Sequence, residues 1–448
     1  MSKTLKNRNN QLKISIIGLG YVGMALAIEL NKKYLNVYGY DLPNVINEYE
    51  HGVCKVDTVS INDFNNCDIN FTSDKDELIN SDVILITVPT DVDENKNPIL
   101  APLIFATLDV IDIINKSTNV PIICYESTVY PGATFELETN YFNTNNLMRE
   151  IDYYIAYSPE RINPGDKEHT INRTVKIIAS PSIKAVDILY DMYLSIMDID
   201  NGGDVVTSND IIAAETTKMY ENCQRDVLIA LANEFMINSA TIYGSNFNEV
   251  ERLASTRWNS FNITPGLVGG HCIAVDPYYM INKAKKHNME YKMLDSARYI
   301  NEYMIDWLAN DISKKIYDIY GNNIIRIGIL GVTYKPNVND IRNSKTIELS
   351  NKIGSMLHKY GNKKFDIIYH DPNANSVELT TKHNIELCSS AELKDFDVIL
   401  ILVKHNEYIK DIKKYSKMFG QNQVLFIDLS GACIDGKSND KVQYVRYW

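Results

Sequence analysis

No two of the seven cysteines in this 448-residue chain stand at CxxC spacing. Scattered thiols of this kind make no disulfide framework and place the chain in a reducing compartment, the cytoplasm. No apolar run approaches the roughly 20 residues that a membrane helix needs, so no membrane is expected as a partner. The opening residues MSKTLKNRNN are polar and lack the apolar stretch of a secretory signal. Positive charge is short as well: 45 Lys and Arg against 57 Asp and Glu leave a net charge of −12. That balance argues against nucleic acid as a partner, and an anionic ligand must be met by local cations instead. Residues 204–243 contain neither Gly nor Pro.

What is present is ordinary in bulk and specific in pattern. The length suits about two or three domains. A weak internal repeat pairs ISIIG at 14–18, NVYGYD ending at Asp41 and SDVILITVP at 81–89 with IRIGILG at 325–331, DIIYHDP ending at Pro372 and FDVILILVK at 396–404. Each is a β-branched run, closed by Gly, Asp or Pro in all but FDVILILVK, and followed by a helical stretch. The alternation predicts βαβ units twice over, hence an α/β chain with two Rossmann-like, doubly wound parallel sheets. Between them, Ile211, Ile212, Met219, Cys223, Val227, Leu231 and Phe235 recur near the helical period. The spacing predicts one long helix from about Ser208 to Tyr243, ended by Gly244, that joins the sheets and offers a dimer surface. The expected layout is an N-terminal domain over 1–200, a central helical domain over 201–310 and a C-terminal domain over 311–448.

Several constellations carry chemistry. GLGYVG at 18–23 is G-x-G-x-x-G between a strand and a helix. Gly18 serves the tight turn, Gly20 the approach of a pyrophosphate and Gly23 close helix packing, with the phosphates at the helix N-terminus. Asp41 ends the next strand, where an acid binds ribose hydroxyls and repels a 2′-phosphate, so the cofactor is NAD. In the second unit ILGVTYKPNVNDIRNSK has no third glycine but carries Lys335 and Arg342, which either bind phosphate or are solvated surface charges. Lys218 and Asn222 share a helix face, and Lys218 lies near the apolar stripe, as a ligand-seeking cation or a snorkelling one. Glu160, in SPERINPGD, is a loop acid set by Pro164 and Gly165, unless it merely pairs with Arg161. Ser127 and Thr128, in ESTVYPGAT, either meet a cofactor or cap a helix. Cys272 follows a diglycine in PGLVGGHCIAVDPYY, with Asp276 four residues on. That is the setting of a nucleophile with room for a ligand, although free cysteines are usually small buried hydrophobes. His271 beside it lacks partners at metal spacing, so no metal is expected. A hydride acceptor together with a thiol that captures an aldehyde points to oxidation past the aldehyde to the acid.

GLGYVG, VPTD at 88–91, ESTVYPGAT, SPERINPGD, the Lys218/Asn222 helix, GGHCI and GVTYKPNVNDIRNS occur in the order seen in the UDP-glucose/GDP-mannose dehydrogenase family, which the chain resembles from about residue 12 to 430. The resemblance is nearest to the branch that oxidises UDP-N-acetylhexosamines. It implies an NAD-dependent, four-electron oxidation of a hexose C6 hydroxyl to the carboxylate, with UDP-N-acetylglucosamine the first choice and UDP-glucose or UDP-N-acetylmannosamine the alternatives. A sugar-nucleotide binder without activity is the reading outside enzymes. By position, Cys272 resembles the nucleophile and Lys218 and Asn222 the oxyanion donors. Asp276 resembles the acid that handles the first proton with Lys218 and Thr128, and Glu160 the group that assists thioester hydrolysis. Cofactor contacts are implied for Gly18, Gly20, Tyr21, Val22, Gly23, Asp41, Val88, Pro89, Thr90, Ser127, Thr128 and Arg342. Substrate contacts are implied for Glu160, Arg161, Asn163, Lys218, Asn222, Phe261, Gly269 and Lys335, with Arg257 reaching the site of a neighbouring subunit in a homodimer. Arg161 or Asn163 would hydrogen-bond the acetamido carbonyl. Two departures stand out: Ile46 where a basic residue after Asp41 is frequent, beside an unusual Pro43, and Asp91 where proline is frequent.

Overall fold

The computed structural model describes residues 12–448 apart from 55, 57, 163–165, 167, 262 and 363. Packing divides them into two compact units. One comprises the chain to Glu221 together with Tyr278–Met289, and the other Asn222–Pro277 with Glu290–Trp448.

The first unit is built on an eight-stranded sheet. Its strands are β1 (Lys13–Ile17), β2 (Asn36–Tyr40), β3 (Asn70–Thr72), β4 (Val83–Ile86), β5 (Ile122–Tyr125), β6 (Tyr154–Tyr157), β7 (Lys176–Ala179) and β8 (Val205–Ser208). They lie in the order β8-β7-β6-β5-β4-β1-β2-β3. All pairs are parallel except β6 with β7, which meet antiparallel at Tyr157 and Ala179. The central strands VILI and IICY are buried along their whole length. That is what a parallel strand covered on both faces requires, and why these runs read as continuously apolar rather than alternating. Helix α1 (Tyr21–Asn31) leaves the end of β1 and buries Met24, Leu26, Ile28 and Leu30 in this core.

The second unit repeats the plan with β9 (Ile325–Leu330), β10 (Phe365–His370), β11 (Val398–Ile401), β12 (Val424–Asp428) and β13 (Val442–Arg446). The order is β10-β9-β11-β12-β13, parallel throughout. The sequence repeat is therefore structural: in both sheets the first strand sits between the second strand and the strand of the VILI motif. The Gly- and Pro-free stretch forms α2 (Ile211–Asn238), capped where Asp210 Oδ1 accepts the Ala213 amide at 3.0 Å. It widens into a π turn over Ser239–Tyr243 and stops at Gly244, whose φ is +62°. The expected start at Ser208 falls inside β8, so the helix begins three residues later than the periodicity alone suggests. Helix α3 (Asp276–Lys286) follows the Cys272 turn, and α4 (Lys292–Tyr320) and α5 (Lys345–Tyr360) pack on the second sheet. The described residues include no helix long and apolar enough to cross a membrane and no cluster of three or more metal-ligating side chains.

Candidate active site

In the first unit, a cleft of about 710 Å³ opens beyond the ends of β1 and β2. Three glycines shape it, each for a different reason. Gly18 has φ +94°, a left-handed turn closed by its amide on the Tyr40 carbonyl at 2.9 Å. A Cβ on Gly23 would lie 1.9 Å from the Gly18 carbonyl oxygen and 2.5 Å from Thr87 Oγ1, so only Gly lets α1 start there. A Cβ on Gly20 would meet nothing within 4 Å: that residue faces open space, where a pyrophosphate would approach. Tyr21 and Val22 open α1, and Tyr21 lines the cleft with Val88 and Pro89. Asp41 accepts the Leu19 amide at 2.6 Å and the Leu42 amide at 2.7 Å. Among the described residues that line the cleft the charged side chains are Asp41, Glu48 and Asp109, all acids. A dinucleotide with free ribose hydroxyls fits such a wall; a 2′-phosphate would face carboxylates. Ile46, in place of a basic residue, is buried in the core behind it. Ser127 Oγ donates to the Val88 carbonyl at 2.7 Å and Thr90 Oγ1 to the Thr128 carbonyl at 2.7 Å. These hydroxyls lock the loops after β4 and β5 to each other.

Glu160 lies past the end of β6 and is almost fully buried. Lys176 on β7 bridges it to Glu126 at the end of β5: Nζ is 2.9 Å from Glu160 Oε2 and 2.6 Å from Glu126 Oε2. Glu160 Oε1 also accepts the Arg161 and Ile162 amides, at 2.6 and 2.7 Å. Burial works against ionising Glu160, but the Lys176 ammonium and these hydrogen bonds outweigh it and hold the carboxyl below the ordinary glutamate range. At Glu126 burial wins despite Lys176, and its pKa rises. Tyr193 donates to Glu126 Oε1 from the far side, its own pKa pushed well up by burial and that carboxylate. Lys218 Nζ donates to the Glu160 carbonyl oxygen at 2.5 Å, so the sequence motif SPE and the α2 lysine meet. One turn before Lys218, Glu215 accepts the Gly132 and Thr134 amides at 2.6 and 2.9 Å and pins the PGAT turn. Arg161 does not pair with Glu160. Its guanidinium donates to Glu221 Oε1 at 2.6 Å and to the Val175 carbonyl at 3.3 Å. Asn163, like Pro164 and Gly165, lies outside the described residues.

In the second unit, Cys272 occupies a turn whose carbonyl accepts the Val275 and Asp276 amides at 2.9 Å each, directly before α3. The diglycine in front of it has a packing cause that sequence reasoning missed. Gly270 has φ +77°, and a Cβ there would lie 2.7 Å from the Tyr334 ring; a Cβ on Gly269 would lie 2.8 Å from the Asn343 carbonyl oxygen. Asn343 Nδ2 in turn donates to the Gly270 carbonyl at 2.9 Å. The Cys272 loop is thus held by the KPNVNDIRN segment. Asn222 is fully buried; its Nδ2 donates to Asp276 Oδ2, and Arg225 donates to Asn222 Oδ1. Arg342 forks onto Asp340, with Nη2 2.7 Å from Oδ2, and Asp340 also lies 3.7 Å from His271 Nδ1. Lys335 is half-buried with its Nζ 5.5 Å over the Tyr334 ring. Arg257 and Phe261 are exposed.

Lys176, Glu126 and Tyr193 were not among the sequence candidates. A lysine inside the apolar run VKIIAS was the available signal, since a charge on a buried strand demands a partner.

Three family models match the chain: the UDP-glucose/GDP-mannose dehydrogenase family NAD binding domain over residues 12–197, its central domain over 212–303 and its UDP binding domain over 328–435. The chain is 35% identical over 431 residues to Protein CapL of Staphylococcus aureus, covering 95% of this chain and 96% of that one. It is 31% identical to UDP-N-acetyl-D-glucosamine 6-dehydrogenase of Pseudomonas aeruginosa over 96% of this chain and 99% of that protein. Among solved structures, a UDP-D-ManNAc dehydrogenase from Pyrococcus horikoshii superposes with a TM-score of 0.80 at 27% identity, covering 97% of this chain and 98% of that one.

Proposed function

The chain belongs to the UDP-glucose/GDP-mannose dehydrogenase family, and from that premise we propose that this NAD-dependent nucleotide-sugar 6-dehydrogenase oxidises a UDP-N-acetylhexosamine, UDP-N-acetylglucosamine first, to the uronic acid. One observation carries the substrate class. Of the similar proteins named above, both with a substrate in their names take an N-acetylated UDP-hexosamine. Those two names divide between the gluco and manno epimers; the gluco-named relative, matched over 441 residues and 99% of its own length, is the basis for placing that form first.

NAD, when bound, supplies the hydride acceptor, and Gly18, Gly20, Gly23 and Asp41 are the residues that would hold it. The chain's own groups do the rest. Asp276, with Lys218 and Thr128, takes the C6 hydroxyl proton through water as hydride leaves and the aldehyde forms. The Cys272 thiolate adds to the aldehyde carbon. Loss of a second hydride from that adduct, which would need a second NAD as acceptor, gives a thioester. Lys218 and Asn222 hydrogen-bond the oxyanion at each tetrahedral stage. Glu160, kept ionised beside Lys176, accepts a proton from the attacking water. The C–S bond then breaks, the Cys272 thiolate is regenerated and the acid is released. Lys335 contacts the nucleotide sugar, Arg342 the cofactor and Phe261 the uridine. Arg161, whose guanidinium is engaged by Glu221, retains N–H donors for an acetamido carbonyl. The working form is a homodimer in the cytoplasm, with Arg257 reaching the partner's site.

The substrate assignment is tested by kcat/KM for UDP-glucose against the gluco, galacto and manno UDP-N-acetylhexosamines. UDP-N-acetylglucosamine should lead, because a pocket built to hydrogen-bond an amide rejects a sugar without one. A clear preference for UDP-glucose overturns the assignment and leaves the family untouched.

A further inference from the structure

We infer that His405 is a positioning residue for nucleotide-sugar binding, locking the loop that carries Lys335. The inference rests on the reading of Lys335 as a substrate contact. That loop follows β9, and His405 follows β11. These two neighbouring strands flank the point where the winding of the sheet reverses, since the chain passes from β9 outward to β10 and then back to β11 on the other side. In open parallel sheets the crevice at the carboxyl ends of such strands is where ligands bind.

His405 is fully buried there, and both ring nitrogens are spent on the loop and its anchor. The Asn337 backbone N–H lies 3.0 Å from Nδ1, and Asn373 Nδ2 lies 2.9 Å from the same atom. A backbone amide can only donate, so Nδ1 is the bare acceptor and Nε2 carries the proton. Nε2 in turn lies 3.0 Å from Asp371 Oδ2. That carboxylate oxygen also accepts the backbone amides of Val332 at 2.7 Å and Thr333 at 3.3 Å. Thr333 Oγ1, 3.2 Å from Nε2, donates to the Lys335 carbonyl at 2.9 Å. The backbone on both sides of Lys335 therefore hangs from one imidazole and its carboxylate. Asn337 takes φ +60°, a left-handed conformation that the clasp must hold. The Asn406 amide, next to His405, donates to Asn337 Oδ1 at 3.0 Å and closes the loop a second time. Downstream, the Tyr334 ring is the surface against which Gly270 packs two residues before Cys272. A cation fixed in this way binds a diphosphate without first being ordered, and that ordering cost is what His405 removes.

The test is calorimetric titration of the full-length protein with UDP and, separately, with NAD. His405→Ala should weaken UDP by about tenfold or more, the cost of a buried donor left without its acceptor, while NAD affinity stays at the wild-type value. His405→Asn places an oxygen acceptor where Nδ1 was and should restore most of the UDP affinity, which a merely space-filling role would not allow. Lys335→Ala is the control on the underlying reading. If it weakens UDP and His405→Ala does not, the positioning role is wrong. The role is equally wrong if the Ala and Asn variants are equally weak, or if UDP and NAD weaken together. If Lys335→Ala leaves UDP affinity unchanged, Lys335 is not a substrate contact and this inference falls with it. Should His405→Ala not fold, His405→Leu, which fills the space without an acceptor, takes its place: weaker UDP binding than His405→Asn supports the role, and equal affinities overturn it.

Discussion

The chemistry proposed above turns on Cys272. A serine in its place forms an alkoxide far less readily and cannot pass through a thioester. Cys272→Ser should lose acid formation by several orders of magnitude, read as uronate formed per unit time. Lys218 donates to the Glu160 carbonyl and stands one helical turn from Asn222. Removing one oxyanion donor typically costs ~10²–10³-fold in kcat, and Lys218→Ala should fall in that range; activity within a few-fold of wild type would refute its role. Lys176 makes a stability prediction. Its removal leaves two buried carboxylates without their counterion, and breaking a buried pair of this kind costs about 3–5 kcal/mol. The pH dependence has a definite sign. Without Lys176 both carboxyls would have folded-state pKa values above their unfolded ones, so the folded state is favoured below the unfolded value and loses ground as pH rises. The deficit of Lys176→Met against wild type, measured by denaturant melts from pH 8 down to pH 5, should shrink on acidification. A constant deficit would mean that the loss is one of packing alone.

Elements were the most legible part of the chain. The βαβ alternation, the two related sheets and the long helix follow from strand-length apolar runs and from a forty-residue stretch without Gly or Pro. Two features of the first unit lay beyond periodicity. The antiparallel join of β6 and β7 is set by tertiary pairing, and the Lys176 bridge joins carboxylates 50 and 16 residues away. The glycines show the same division. Gly18, Gly20 and Gly23 were readable because their motif names their jobs. Gly269 and Gly270 were readable only as room for a ligand, because the Tyr334 ring and Asn343 carbonyl that demand them come some 65–75 residues later. At this scale the cofactor preference can be tested. The charged side chains among the described residues that line the cleft past β1 and β2 are acids, Asp41 with them, so NADP at matched concentration should support only a small fraction of the NAD rate. Equal turnover would contradict the role given to Asp41.

At the scale of the whole molecule, α2 and the turn that follows it leave Ile212, Leu231, Phe235, Ile242 and Tyr243 exposed, and Trp258 lies almost wholly in solvent. So many large apolar side chains along one segment suit a second copy of the chain. The expected dimer is read by sedimentation or light scattering at assay concentration, and Arg257→Ala should raise the KM for the sugar nucleotide without changing the mass of the assembly. A fully active monomer would contradict both statements. The central claim, a four-electron oxidation that runs through a covalent thioester on Cys272, is tested most directly by counting NADH against UDP-N-acetylglucosamine consumed, with the product identified by mass. Two NADH for each sugar are expected, with a uronate as the sole product. One NADH per sugar, with an aldehyde released, would contradict it.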